Sequence, residues 1–109
     1  MAQIEQVFQI TGKQYAINLT TAASTPVQLT GYTELRVCNP SAVMIHLSFA
    51  STSALATTGC VAAVNGTPST AVAVPAGSIE IIRVPKNAFV AGLTASSTAT
   101  VYLTAGRGV

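Results

Sequence analysis

The chain has 109 residues, of which five are Lys or Arg, three are Glu and none is Asp, for a formal net charge of +2. A soluble domain usually carries roughly a quarter charged residues, and the five cations, Lys13, Arg36, Arg83, Lys86 and Arg107, form no clustered basic stripe of the kind that binds nucleic acid. No stretch reaches the ~18 consecutive apolar residues of a membrane-spanning helix, so neither a nucleic acid nor a membrane is expected as a partner.

Half of the residues are hydrophobic, but only three Phe, three Tyr and no Trp are among them. The core is therefore expected to be aliphatic and thin, which suits two packed sheets. A chain of this length buries on the order of 60–70% of its unfolded surface as one domain, and residues 1–109 are read as a single domain. The polar residues Glu5, Gln6 and Gln9 interrupt the start of the chain before a signal-peptide core could accumulate. Synthesis in the cytoplasm and a soluble product are the expectation.

In chain order, a first strand is expected around residues 4–10, with Thr11-Gly12-Lys13 separating it from a second. Tyr15, Ile17 and Leu19 then alternate with Ala16 and Asn18. The same period of two recurs in Val27 and Leu29, in Leu35 and Val37, and in Val43, Ile45, Leu47 and Phe49. This is the signal of half-buried strands, and strands spaced roughly 8–12 residues apart are expected of an all-β sandwich or barrel. No window shows a helical period of similar strength.

Asn39-Pro40-Ser41 is a tight connection between two strong strands. Val74-Pro75-Ala76-Gly77 opens onto the strand Ile79-Glu80-Ile81-Ile82-Arg83-Val84, which Pro85 closes. Further strands are expected at 88–93 and 99–104. Residues 50–70, rich in Ser, Thr, Ala and Gly around Ala62-Ala63-Val64, read as a long loop or a short extra strand. Long loops in compact domains tend to carry function. The reading is an all-β fold: a small, jelly-roll-like β-sandwich of eight or nine short antiparallel strands. Its core should be filled by Ile17, Leu19, Val37, Ile45, Leu47, Ile81, Val101 and Leu103.

Chemistry has few residues to work with. A Ser-His-acid arrangement would need the one His, His46, beside Glu5, Glu34 or Glu80, and His46 alternates out of its apolar strand face. Cys38, His46 and Cys60 fall short of the four ligands that a structural zinc site takes. Without an export signal the two cysteines are expected reduced. Glu34 and Glu80 could form a glycosidase pair only by facing each other, whereas Glu34 with Arg36 and Glu80 with Arg83 suggest plain ion pairing. Tyr15, Tyr32 and Tyr102 are few for a sugar platform. No catalytic, cofactor-binding or metal-binding residue is assigned, no cofactor is expected, and the chain is read as a non-enzyme.

The residues Leu35-Arg36-Val37-Cys38-Asn39-Pro40-Ser41, the strand over 43–50, Val74-Pro75-Ala76-Gly77-Ser78-Ile79-Glu80 and the end 99–108 resemble a group of small tailed-bacteriophage virion proteins. In that group a strand ends in Asn-Pro, a Pro-Ala-Gly turn feeds a Glu-bearing strand, and a last strand runs into a Gly-x-Gly tail. The resemblance covers about two thirds of the chain, from Leu35 onward. It departs from the group at Arg107, where an acidic residue is usual, and over 57–70, which has no counterpart.

The resemblance implies a decoration or cement protein of the capsid that binds at junctions between shell subunits. Its partners would be the major capsid protein or other virion proteins, with the chain itself a homo-oligomer. A head–tail or tail-associated position in the virion is the next reading, and a carbohydrate-binding β-sandwich for host attachment the third.

Overall fold

The computed structural model describes residues 9–29 and 33–107. Eight strands form two four-stranded sheets: β1 (Gln9–Leu19), β2 (Val27–Gln28), β3 (Glu34–Cys38), β4 (Ile45–Ala50), β5 (Val72–Val74), β6 (Ile79–Arg83), β7 (Phe89–Thr94) and β8 (Ala99–Arg107). Sheet A has the order β1-β8-β3-β6 and sheet B the order β2-β7-β4-β5, and all neighbours are antiparallel. Successive strands thus alternate between sheets in most of the chain, which is the double-sheet jelly-roll arrangement. A single short helix, α1 (Ser53–Gly59), interrupts the pattern between β4 and β5.

The core lies between the sheets. Ile17 and Leu19 of β1, Leu35 and Val37 of β3, and Val101 and Leu103 of β8 meet Ile45 and Leu47 of β4, Val74 of β5 and Val90 of β7. Each such side chain contributes about 1.5–3 kcal/mol on full burial. With no Trp and few Phe, close approach of the backbones fills the space that large rings would. A Cβ on Gly92 would stand 2.8 Å from Cδ2 of Leu47 and 2.9 Å from Cδ2 of Leu19. Both leucines pack directly over the glycine backbone of β7.

Four features depart from the sequence reading. Thr11-Gly12-Lys13 is not a turn: β1 runs through it, and the pairing with β8 shifts register between Ile10 and Gln14. Residues 11–13 stand against Ala105 alone, and two extra residues taken up in this way bend a strand without ending it. The stretch expected at 4–10 lies outside the described residues except for Gln9 and Ile10. At the other end β8 continues past Thr104 to Arg107, because Ala105 and Gly106 pair with Leu35 and Glu34 of β3.

Ile81, expected in the core, is 54% exposed. The run Ile79-Glu80-Ile81-Ile82 fits either phase of the alternation, and pairing with β3 decides between them. Ile82 stands opposite buried Leu35 and turns inward, while Ile81 stands opposite Arg36 on the outer face. The fourth departure is α1, in the segment read as a loop or extra strand. Thr52 caps it, its hydroxyl oxygen accepting from the backbone N–H of Leu55 at 3.2 Å. A seven-residue helix is marginal alone. This one is held by packing Ala56 and Cys60 onto Ala91 of β7.

Candidate interaction surface

The candidate chemical groups are kept apart by the fold. Glu34 and Glu80 lie on opposite faces of sheet A. Glu34 pairs with Arg83 on the outer face, while Glu80 stands opposite inward-facing Val37. The carboxylate of Glu34 meets Arg83, not Arg36: Nη2 of Arg83 donates to Oε2 of Glu34 at 3.0 Å. Arg83 is therefore the partner of Glu34 rather than of Glu80, and its side chain is 81% exposed against 17% for Glu34.

His46 is half-buried on the outer face of sheet B, between Ala73 of β5 and Leu93 of β7 in register. Cys38 and Cys60 are both free thiols. Cys38 lies in β3 of sheet A between Ile79 and Tyr102, whereas Cys60 follows α1 on the outer side of sheet B. Burial raises the pKa of the Cys60 thiol, so little thiolate forms there at neutral pH. Tyr102 is half-buried on the outer face of sheet A, and Tyr15 packs against the core. Glu5 and Tyr32 lie outside the described residues. Among the described residues no three His, Cys, Asp or Glu converge, no cleft opens, and no helix is long and apolar enough to cross a membrane.

One polar residue that the sequence marks only as part of a tight connection is central in the structure. Asn39 is fully buried where the chain crosses from sheet A to sheet B. Its Nδ2 donates to the carbonyls of Val43 at 2.9 Å, Val74 at 3.2 Å and Pro75 at 3.1 Å. Its Oδ1 accepts from the backbone N–H of Ser41 at 3.2 Å and from the Ser41 hydroxyl at 2.6 Å. The first of these closes an Asx-turn over Pro40. The amide thus ties the β3–β4 corner to the end of β5, and no buried side-chain polar atom among the described residues lacks a partner. A signal was present: Asn39 follows Leu35 and Val37 at the inward-facing period of two.

The surface features that remain are apolar. From Val37 to Ile79 the sequence contains no Asp, Glu, Lys or Arg. This uncharged run includes the excursion from β4 through α1 and back to β5. Its inner side uses small residues: Ala56 and Cys60 pack with Ala50, Phe89, Ala91 and Leu93. A Cβ on Gly59 would stand 2.7 Å from Oγ of Ser48 and 2.9 Å from Oγ1 of Thr70, so α1 ends in close approach to the sheet. Its outer side presents Leu55 at 56% exposure and Val64 at 64%, with Val61 also exposed. Val64 is set by a narrow turn in which it and Thr67 exchange backbone hydrogen bonds.

The second apolar feature is β6, the edge of sheet A, with Ile79 and Ile81 both exposed on the outer face. Monomers normally blunt such an edge with charge, Pro or a bulge. Compared with known protein families, curated proteins and solved structures, the chain matches none.

Proposed function

We propose that the chain is a non-enzymatic structural protein of a bacteriophage particle, made in the host cytoplasm and carried in the virion. It decorates or cements the capsid by binding at junctions between shell subunits. The observation that supports this reading most is the uncharged excursion between β4 and β5, which stands on sheet B with Leu55, Val61 and Val64 turned to solvent. Interface cores are depleted in charge because burying an ion strands it without water. A surface of this composition loses little by being covered. The jelly roll is also a frame used by capsid and lectin domains, a likeness at the level of fold alone.

The partner is the major capsid protein or another virion protein, and repeated copies on a lattice let a modest contact hold through avidity. Co-sedimentation with protein-stripped cognate shells, at low and high salt, tests the reading. The parent chain should pellet with shells at both salt concentrations, since screening acts mainly on exposed charges. A Leu55→Lys/Val64→Lys variant should bind at least about tenfold more weakly, the effect of roughly 1.4 kcal/mol, with an unchanged circular dichroism spectrum. Loss of parental binding as salt rises, or pelleting with DNA, overturns the proposal. Pelleting with tails and not shells moves the protein to a head–tail or tail-associated position, and retention by host glycans would replace docking with carbohydrate attachment.

A further inference from the structure

The edge strand β6 carries a self-complementary pairing surface. Antiparallel pairs alternate between residues that exchange both backbone hydrogen bonds and residues that exchange none. At one end of the β3–β6 ladder the N–H of Asn39 donates to the carbonyl of Ser78 at 3.0 Å, and at the other the N–H of Val84 donates to the carbonyl of Thr33 at 2.7 Å. Counting inward from either end along the register, Ser78, Glu80, Ile82 and Val84 bond to β3. The N–H and C=O groups of Ile79, Ile81 and Arg83 therefore point away from β3, along the open edge. These are the same residues whose side chains lie on the outer face, and two of them are the exposed isoleucines. No other described strand pairs along that edge.

We infer that β6 pairs with β6 of a second copy of this chain, antiparallel about a two-fold axis through Ile81, joining two A sheets into one. The ends of the strand argue for this register. Pro85 has no N–H to offer, and Gly77 leaves the strand with φ at +71°, so the usable edge is the five residues from Ile79 to Arg83, symmetric about Ile81. Centred there, Ile81 faces its own copy and Ile79 faces Arg83, an arrangement with about six hydrogen bonds.

Neighbouring registers fail. A slip by two residues toward the N-terminal side of the strand sets Glu80 opposite Glu80, a like-charge pair. A slip the other way pairs Ile81 with Arg83 and puts Ile79 against Pro85, which lacks a donor. In the centred register the aliphatic stem of Arg83 lies along Ile79 of the partner copy while its guanidinium stays with Glu34. A two-fold contact of one surface with itself needs no second protein to evolve in step.

This self-association gives a surface to the homo-oligomer that the virion resemblance implies, but it needs no shell, and the test uses none. Sedimentation velocity of the full chain from about 1 μM to about 1 mM spans the range where a contact smaller than the roughly 1,200–2,000 Å² of stable interfaces becomes populated. A concentration-dependent dimer is expected. Ile81→Lys puts two cations face to face and should weaken it by on the order of tenfold. Ile81→Pro removes an N–H that β3 does not use and should abolish the dimer, with the parental circular dichroism spectrum as the check on folding. Val64→Lys, in the turn between α1 and β5, should leave dimerisation unchanged.

In a Cys38→Ser background, Ile81→Cys should give a disulfide-linked dimer. Hydrogen-bonded antiparallel pairs have Cα atoms about 5.5 Å apart, within the roughly 4.4–6.8 Å that a disulfide spans. A chain that stays monomeric throughout the range, or a dimer that Ile81→Lys leaves intact, overturns the inference. So does a dimer that fails to cross-link through Ile81→Cys.

Discussion

Asn39 and Ile81 invert the usual relation between residue type and burial, one just past the end of β3 and the other in its neighbour β6. The asparagine is fully buried and the isoleucine 54% exposed. The amide of Asn39 has one oxygen and two amide hydrogens, and the corner around it offers two donors to the oxygen and three carbonyls to the nitrogen. A polar group so satisfied loses little by leaving water. Ile81 has no such choice: its position opposite Arg36 turns it away from the core. Hydrogen bonding decides the first case and strand register the second.

The largest test of this contrast is Asn39→Asp. The substitution keeps the shape but replaces a donor by an acceptor facing the carbonyls of Val43, Val74 and Pro75. Leaving buried groups unpaired beside an added charge should cost about 3–5 kcal/mol, read as a fall in the urea midpoint with the slope unchanged. A loss under 1 kcal/mol would mean that the corner is held by its packing and not by the amide.

A smaller effect separates two adjacent isoleucines. At concentrations where the chain is monomeric, Ile82→Thr should cost about 1–2 kcal/mol, because Ile82 packs against the core and a hydroxyl replaces part of its apolar bulk. Ile81→Thr should stay within about 0.5 kcal/mol of the parent, as expected for a surface site in a strand. Equal losses at the two positions in urea unfolding would overturn the assigned phase of β6.

The smallest effect belongs to the ion pair across β3 and β6. Since Arg83 is largely exposed, Arg83→Ala should lower stability by at most about 0.5 kcal/mol, and less at high salt. A salt-independent loss several times larger would give the pair a structural role that its exposure does not suggest.

Much of the sandwich was legible because alternation is a local property. Ile17, Leu19, Val37, Ile45, Leu47, Val101 and Leu103 were all expected in the core and are all buried. The helix was not legible. Its sheet-facing side is made of Ala56 and Cys60 and its one large apolar residue, Leu55, faces outward, so the helical period falls on side chains too small to register as a hydrophobic pattern. The candidate surface was legible only as a segment: residues 50–70 stood out by composition, but which of their side chains face out depends on how α1 lies on β7. The edge of β6 was hidden behind an apolar run that reads as core.

The sequence by itself determined that this chain makes strands, that its core is aliphatic, and that charge is almost absent from its middle. Side-chain period and composition act over a few residues, and no partner is needed to express them. Tertiary structure alone decided which strand neighbours which, the phase of β6, the carbonyl partners of Asn39 and the docking of α1. Each of these rests on hydrogen bonds or contacts between residues far apart in the chain, and a register shift of one residue would exchange the faces that the local pattern had left equivalent.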